Sequence, residues 1–154
     1  MRVLICPDKF KFTYSAMEIG MLIKRVFERL GHRTELVPMS DGGEGFLDVL
    51  SRYVEAERVE TRVYDSVLRP LDTYFLYDKT QRRVYIELAL TGSLQFLSEG
   101  LRNPLNTTTY GLGLQLKKAM DMGAEKIFVG LGGSSTTDCG MVAVSLGINF
   151  IIIG

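Results

Sequence analysis

RVLICPDKFKFTYSAMEIGMLIKRVFERLGHRTELVPM, residues 2–39, decides the fold. Arg2–Cys6 is a compact apolar run without alternation, the pattern of a strand covered on both faces. It stops at Pro7-Asp8, and Lys9–Tyr14 reads as a loop. Ser15 precedes Glu18 by the spacing of a capping box, in which each residue satisfies the other's free amide. Ile19, Leu22, Ile23, Val26, Phe27 and Leu30 then recur at helical spacing as far as Gly31, a natural C-terminal stop. His32-Arg33 turns the chain, and Thr34–Met39 is a second short strand. Strand, helix and strand in this order predict two parallel strands joined by a right-handed crossover.

Beyond this unit, Ser40-Asp-Gly-Gly-Glu-Gly45 opens a helix with Phe46, Leu47, Leu50, Tyr53 and Val54 on one face. The pattern then changes. Arg58–Tyr64 and Arg83–Leu88 alternate, Asp72–Tyr77 is rich in aromatics, and Lys79-Thr-Gln81 is a turn. These predict an antiparallel meander, with Tyr64, Tyr74, Tyr77 and Tyr85 packing on the sheet. Thr107–Thr109 offer N-caps for a helix to about Met122, closed by Gly123. Gly111 and Gly113 in its first turn each cost about 1 kcal/mol relative to Ala, which points to backbone held close to something else. Ile127–Val129 is a strand, Met141–Leu146 is helical, and Ile148–Gly154 is strand-like.

The expected class is therefore α/β. A parallel sheet carries helices on both faces, and an antiparallel segment belongs to a second, mixed α/β subdomain. Residues 1–57 start the first domain and 58–154 the second. The apolar strand at the C-terminus would be an aggregation hazard at a sheet edge, so the two-domain fold is read as incomplete there.

Composition removes several classes of function. Over 154 residues, 18 Lys and Arg balance 18 Asp and Glu, with a pI near 6.6. No basic excess is available to bind nucleic acid or a membrane surface. Nothing approaches the ~18 consecutive apolar residues that a bilayer span needs. Met1-Arg2 leads into only a short apolar run, unlike a secretory leader. Cys6 and Cys139 are far apart and lack C-x-x-C spacing, so the expectation is reduced thiols in a cytoplasmic protein, without a zinc site.

The chemistry gathers in three turns that combine glycine with hydroxyls or acids: Asp41–Gly45, Thr107–Gly113 and Gly130–Gly140. Each stands at a helix entrance, where free amides and the helix dipole favour an anion. The last reads G-L-G-G-S-S-T-T-D-C-G. No glycine is followed by lysine, so the Walker A loop is absent, and Ser135 occupies the third-glycine position of a G-x-G-x-x-G frame starting at Gly130. The class that fits is phosphoryl transfer, where catalysis is largely positioning and charge neutralisation. Asp8, Asp41 and Asp138 are candidates to hold Mg²⁺ or to accept a hydroxyl proton, and Lys11 to neutralise the transferred phosphate. His32, the only histidine, is read as a turn residue, and Cys139 as small-residue packing.

Pro7-Asp-Lys-Phe-Lys11 with Ser15-Ala16, Asp41-Gly-Gly-Glu-Gly45, Asn103-Pro-Leu with Thr107-Thr-Thr-Tyr-Gly111, and Gly130-x-Gly-Gly-Ser134 with Thr136 and Asp138 occur in this order over nearly the whole chain. Together they resemble the bacterial-type glycerate kinases. The resemblance implies ATP-dependent phosphorylation of D-glycerate with Mg²⁺, usually at the 2-hydroxyl. It also implies a flavodoxin-like domain beside a second α/β domain, with the site in the cleft between them. Carried onto this chain, it places Asp8 and Lys11 in one active-site loop and Asp41, Gly42, Gly43 and Glu44 in a second. Gly132, Gly133, Ser134, Thr136 and Asp138 fall in a third, with Thr107 and Thr108 on the phosphate side. The base is Asp138 or Asp41. Phe12, Leu114, Gly92-Ser93, Thr137 and Cys139 depart from the usual pattern, the last standing where the family has glycine. Members of that family run to more than twice this length, so an N-terminal portion is expected. A non-catalytic anion- or nucleotide-binding fragment and a kinase of a related small hydroxy acid are the alternative readings.

Overall fold

A computed structural model describes residues 1–11 and 13–146. Phe12 and the strand-like run 148–154 lie outside the described residues. The chain begins with the expected unit of β1 (Arg2–Ile5), α1 (Ala16–Arg29) and β2 (Arg33–Leu36). β1 and β2 pair in parallel, with Val3 opposite Thr34 and Ile5 opposite Leu36. The capping box is present: the Glu18 amide donates to Ser15 Oγ at 3.2 Å, and Ser15 N–H donates to Glu18 Oε2 at 2.8 Å. Gly31 ends the helix at φ +78°. One expectation fails here, because β1 is covered on one face only. Ile5 is buried, whereas Leu4 is 63% exposed. α1 packs on a single side of this two-stranded sheet, where Gly20 leaves room for the Leu36 side chain.

The chain continues as α2 (Phe46–Leu50), β3 (Glu57–Tyr64), β4 (Pro70–Asp78), β5 (Arg83–Glu87), α3 (Ala89–Gly92), α4 (Tyr110–Asp121), β6 (Lys126–Gly130) and α5 (Met141–Ser145). Three 3₁₀ turns, Leu94–Phe96, Glu99–Leu101 and Pro104–Asn106, join α3 to α4. The second sheet runs β3-β4-β5-β6, an antiparallel meander to which β6 adds in parallel. The parallel pairing requires a crossover, and α4 supplies it.

Side-chain alternation sorts this sheet into two faces. Phe75, Tyr77, Val84 and Ile86 pack with Leu112, Leu116 and Ala119 of α4 and Ala143 of α5. Leu76 and Tyr85 point the other way and bury Leu47 of α2. This mixed sheet therefore carries helices on both faces. α2 is shorter than the pattern predicted, and five residues cannot hold a helix by themselves. Burial of Leu47, worth about 2 kcal/mol, and a cap from β5 hold it. The glycines of α4 have packing causes: a Cβ on Gly111 would collide with the Tyr64 carbonyl oxygen, and one on Gly113 would lie 2.8 Å from Ala143 Cα.

Candidate functional site

Two glycine-rich loops meet at the ends of strands. Gly132 N–H donates to the Gly42 carbonyl at 3.0 Å. A Cβ on Gly132 would lie 2.5 Å from Gly43 Cα, and one on Gly130 2.5 Å from the Gly42 oxygen. Room that the sequence pattern assigns to a ligand is here filled by the other loop. Glu44 reaches across the junction, where it approaches Gly133 and accepts from Ser93 Oγ at 2.9 Å.

Glu87 fixes the first loop from below. Being two residues past Tyr85 on β5, it faces α2, and its carboxylate accepts the Gly45 and Leu47 amides at 3.0 Å each. It thereby satisfies orphan donors at the helix start. Burial pushes its pKa above the usual carboxylate value; the two amides oppose this, and the charges of Asp48 and Glu44 add to it. The sequence reading gave Glu87 no role in the site. Its signal was a carboxylate in the otherwise apolar run Val84–Leu88.

Lys9 is the second residue that sequence reasoning missed. Its side chain is only 11% exposed and pairs with Asp41 at 2.5 Å, while its own amide donates to Asp8 at 2.6 Å. Burial opposes its charge, but the hydrogen bond and charge of Asp41, helped by Asp8 and Glu44, raise its pKa. Asp41 is lowered by the Lys9 hydrogen bond and by the Gly43 amide, which donates to the same oxygen at 2.8 Å. Lys11, the lysine chosen from the pattern, is exposed and has no carboxylate within 4 Å among the described residues.

Asp138 sits in a different cluster, at the start of α4. Its Oδ2 accepts the Thr109 amide and hydroxyl at 2.8 Å each, and its Oδ1 the Gly140 amide at 3.2 Å. Thr109 Oγ1 in turn accepts the Ala143 amide, so Asp138 ties the starts of α4 and α5 together. Thr107 donates to the Ser135 carbonyl, and Thr108 Oγ1 accepts the Tyr110 amide. Ser134 and Thr136 pair through their hydroxyls at 2.9 Å on the exposed rim. Cys139 is exposed at φ +52°, so it is not the packing residue expected.

Two clefts adjoin the loop junction. The larger, about 570 Å³, is lined by Asp8, Lys9, Glu18, Glu44, Asp48 and Arg52 among others. The smaller, about 270 Å³, is lined by Lys11, Glu44, Gln95, Arg102, Gly133 and Ser134 with Leu94. Glu44 borders both. Among the described residues no three of His, Cys, Asp and Glu gather into a metal cage, so Asp8, Asp41 and Asp138 are not one ligand set. Asp8 and Asp41, both on Lys9, fit the sparser demand of Mg²⁺, which takes one or two carboxylates plus substrate phosphates. Gly133, at φ +74°, and the rim hydroxyls of Ser134 and Thr136 have the chemistry to meet phosphate oxygens.

Among curated relatives, a glycerate kinase from Bacillus cereus is 36% identical over 98% of this chain and 40% of its own length. The glycerate 2-kinase of Escherichia coli is 28% identical over 91% of this chain and 37% of its own. A crystal structure from Salmonella typhimurium LT2, provisionally named glycerate kinase 2, superposes with a TM-score of 0.73 at 29% identity, covering 95% of this chain and 40% of that one. The chain thus spans about 40% of the length of the curated relatives it matches. The model of the glycerate kinase family matches residues 3–152, and the chain belongs to that family.

Proposed function

We propose that the complete protein transfers the terminal phosphoryl group of ATP to the 2-hydroxyl of D-glycerate in the cytoplasm. Relatives named glycerate kinase and glycerate 2-kinase support the substrate and the position. The structural observation that carries the reading is Asp41, held at the loop junction by Lys9, whose nearly buried side chain belongs to the lining of the larger cleft. Its Oδ1 is occupied by Lys9 and Gly43, while Oδ2 has no donor among the described residues. Oδ2 is thus free to accept the proton of the attacking hydroxyl. Asp138 has both oxygens engaged, which favours Asp41 as the base and leaves Asp138 to position the helix starts. ATP with Mg²⁺, when bound, supplies the activated phosphoryl group and part of the charge neutralisation. Asp8 would help hold the metal, Lys11 would neutralise the transferred group, and Gly133, Ser134 and Thr136 would meet phosphate oxygens.

The test is D-glycerate-dependent ADP release by the complete protein, with ³¹P NMR of the product to identify the carbon phosphorylated. Asp41→Asn is expected to lower kcat by about 10²–10⁴. Asp138→Asn is expected to lower stability more than kcat. No ADP release over a panel of small hydroxy acids overturns the reading.

A further inference from the structure

Arg102 lies on the smaller cleft, and none of the roles described so far uses it. We propose that Arg102 determines acceptor specificity by binding the substrate's carboxylate. This rests on the kinase reading and names the part of the acid that the smaller cleft holds.

The side chain is set in place before any ligand arrives. Its Nε donates to the Leu97 carbonyl at 3.0 Å, and Leu97 is buried. Its own amide closes the 3₁₀ turn onto the Glu99 carbonyl at 3.2 Å. Among the described residues its terminal nitrogens meet no acceptor, and no carboxylate lies within 4 Å. Lys9, Arg58, Arg69 and Arg82, by contrast, each have a carboxylate partner. An anchored guanidinium with two free NH₂ groups presents a planar fork matched to a carboxylate.

Charge and size select the ligand. Lys11 and Arg102 face a single carboxylate, Glu44, which is already engaged by Ser93. The larger cleft sets Asp8, Glu18, Glu44 and Asp48 against Lys9 and Arg52, and so repels a bare anion. At about 270 Å³ the smaller cleft falls below the roughly 300–1,000 Å³ typical of pockets for drug-sized ligands. That is room for a three-carbon acid. With the carboxylate on Arg102, the hydroxyl end of the acid extends toward Lys11, which would neutralise the transferred group, and toward Glu44, the wall shared with the cleft that contains Lys9.

The test compares Arg102→Gln and Arg102→Lys with the wild type in the complete protein. Arg102→Gln is expected to raise KM for D-glycerate about 10–100-fold, as for loss of a charged hydrogen-bond pair, with kcat and the KM for ATP nearly unchanged. Arg102→Lys, which keeps the charge but loses the fork, falls between them. With D-glyceramide, whose carboxylate is replaced by a neutral amide, wild type and Arg102→Gln should be equally efficient. An unchanged glycerate KM overturns the proposal, and so does a rise in KM for ATP instead, which would assign the guanidinium to phosphate. Calorimetric titration with D-lactate separates this inference from the kinase reading. If the wild type binds lactate and Arg102→Gln does not, the carboxylate site stands even where glycerate is not phosphorylated. If the wild type binds neither acid, the site falls.

Discussion

Cys139 occupies the left-handed region at φ +52°, in a motif where glycine is the usual residue of the family it resembles. A side chain there costs roughly 1–2 kcal/mol, and the freedom that glycine adds to the unfolded chain returns up to about 1 kcal/mol. Cys139→Gly is therefore expected to stabilise the protein by about 0.5–1 kcal/mol, read as a higher urea midpoint; a lower midpoint would show that the thiol contributes more than the strain costs. Glu87 presents the opposite case, a charge-bearing group buried to serve a loop. Glu87→Ala leaves the Gly45 and Leu47 amides without acceptors, at about 1–3 kcal/mol each. The pH dependence has a definite sign. Its folded pKa lies above the ordinary 4.5, so the folded state binds the proton more tightly than the unfolded chain. Its contribution is complete below about pH 4 and is lost as pH rises through the folded pKa. The stability of wild type relative to Glu87→Gln should fall in urea titrations as pH rises above the ordinary 4.5 and through the folded pKa. A gap that widens with pH would contradict the burial-driven shift.

Elements were legible where a period was long or a cap was explicit. Ser15 and Glu18 announced α1, Gly123 closed α4, and the alternation of Arg58–Tyr64 gave β3. α2 was read too long because its apolar residues continue to Val54, which packs on the sheet from outside the helix. The region from Leu94 to Asn106 has no period, because short 3₁₀ turns keep none. The glycines of α4 pit two effects against each other, and magnitude decides between them. On propensity alone Gly111→Ala would stabilise the helix by about 1 kcal/mol. Yet the added methyl would collide with the Tyr64 carbonyl, which belongs to backbone and cannot step aside. Overpacking of this kind costs about 1–3 kcal/mol, so a net loss is expected. Gly100→Ala, with nothing within 4 Å of its Cβ among the described residues, is the control and should be neutral or slightly stabilising. Thermal or urea unfolding of the two variants side by side checks the sign.

At the scale of the molecule, the loops that compose the candidate site could be found from glycine and hydroxyl spacing, but their arrangement could not. Nothing in the order Asp8, Lys9, Lys11 tells which lysine turns inward to Asp41, since that depends on a contact 32 residues away. Nor does spacing reveal that Gly130 and Gly132 make room for Gly42 and Gly43 and not for a ligand. The other feature of this scale is a bare apolar face. Leu22 and Val26 on α1 and Leu30 at its C-terminal cap, each four residues apart, are 42%, 56% and 64% exposed, and Leu4 on β1 is 63% exposed. A two-stranded sheet with one helix does not make a stable layer by itself; it needs further strands or a second covering layer. Relatives that extend well past the matched length have chain to supply one. We expect these residues to be covered in the complete protein. Val26→Ser should then cost about 1–2 kcal/mol of stability there, where a solvent-facing position would change by no more than about 0.5 kcal/mol. The 154-residue chain by itself should bind a hydrophobic dye and self-associate in sedimentation, and the complete protein should do neither. A neutral Val26→Ser in the complete protein, together with dye binding as strong as that of the isolated chain, would show that this face is left to solvent.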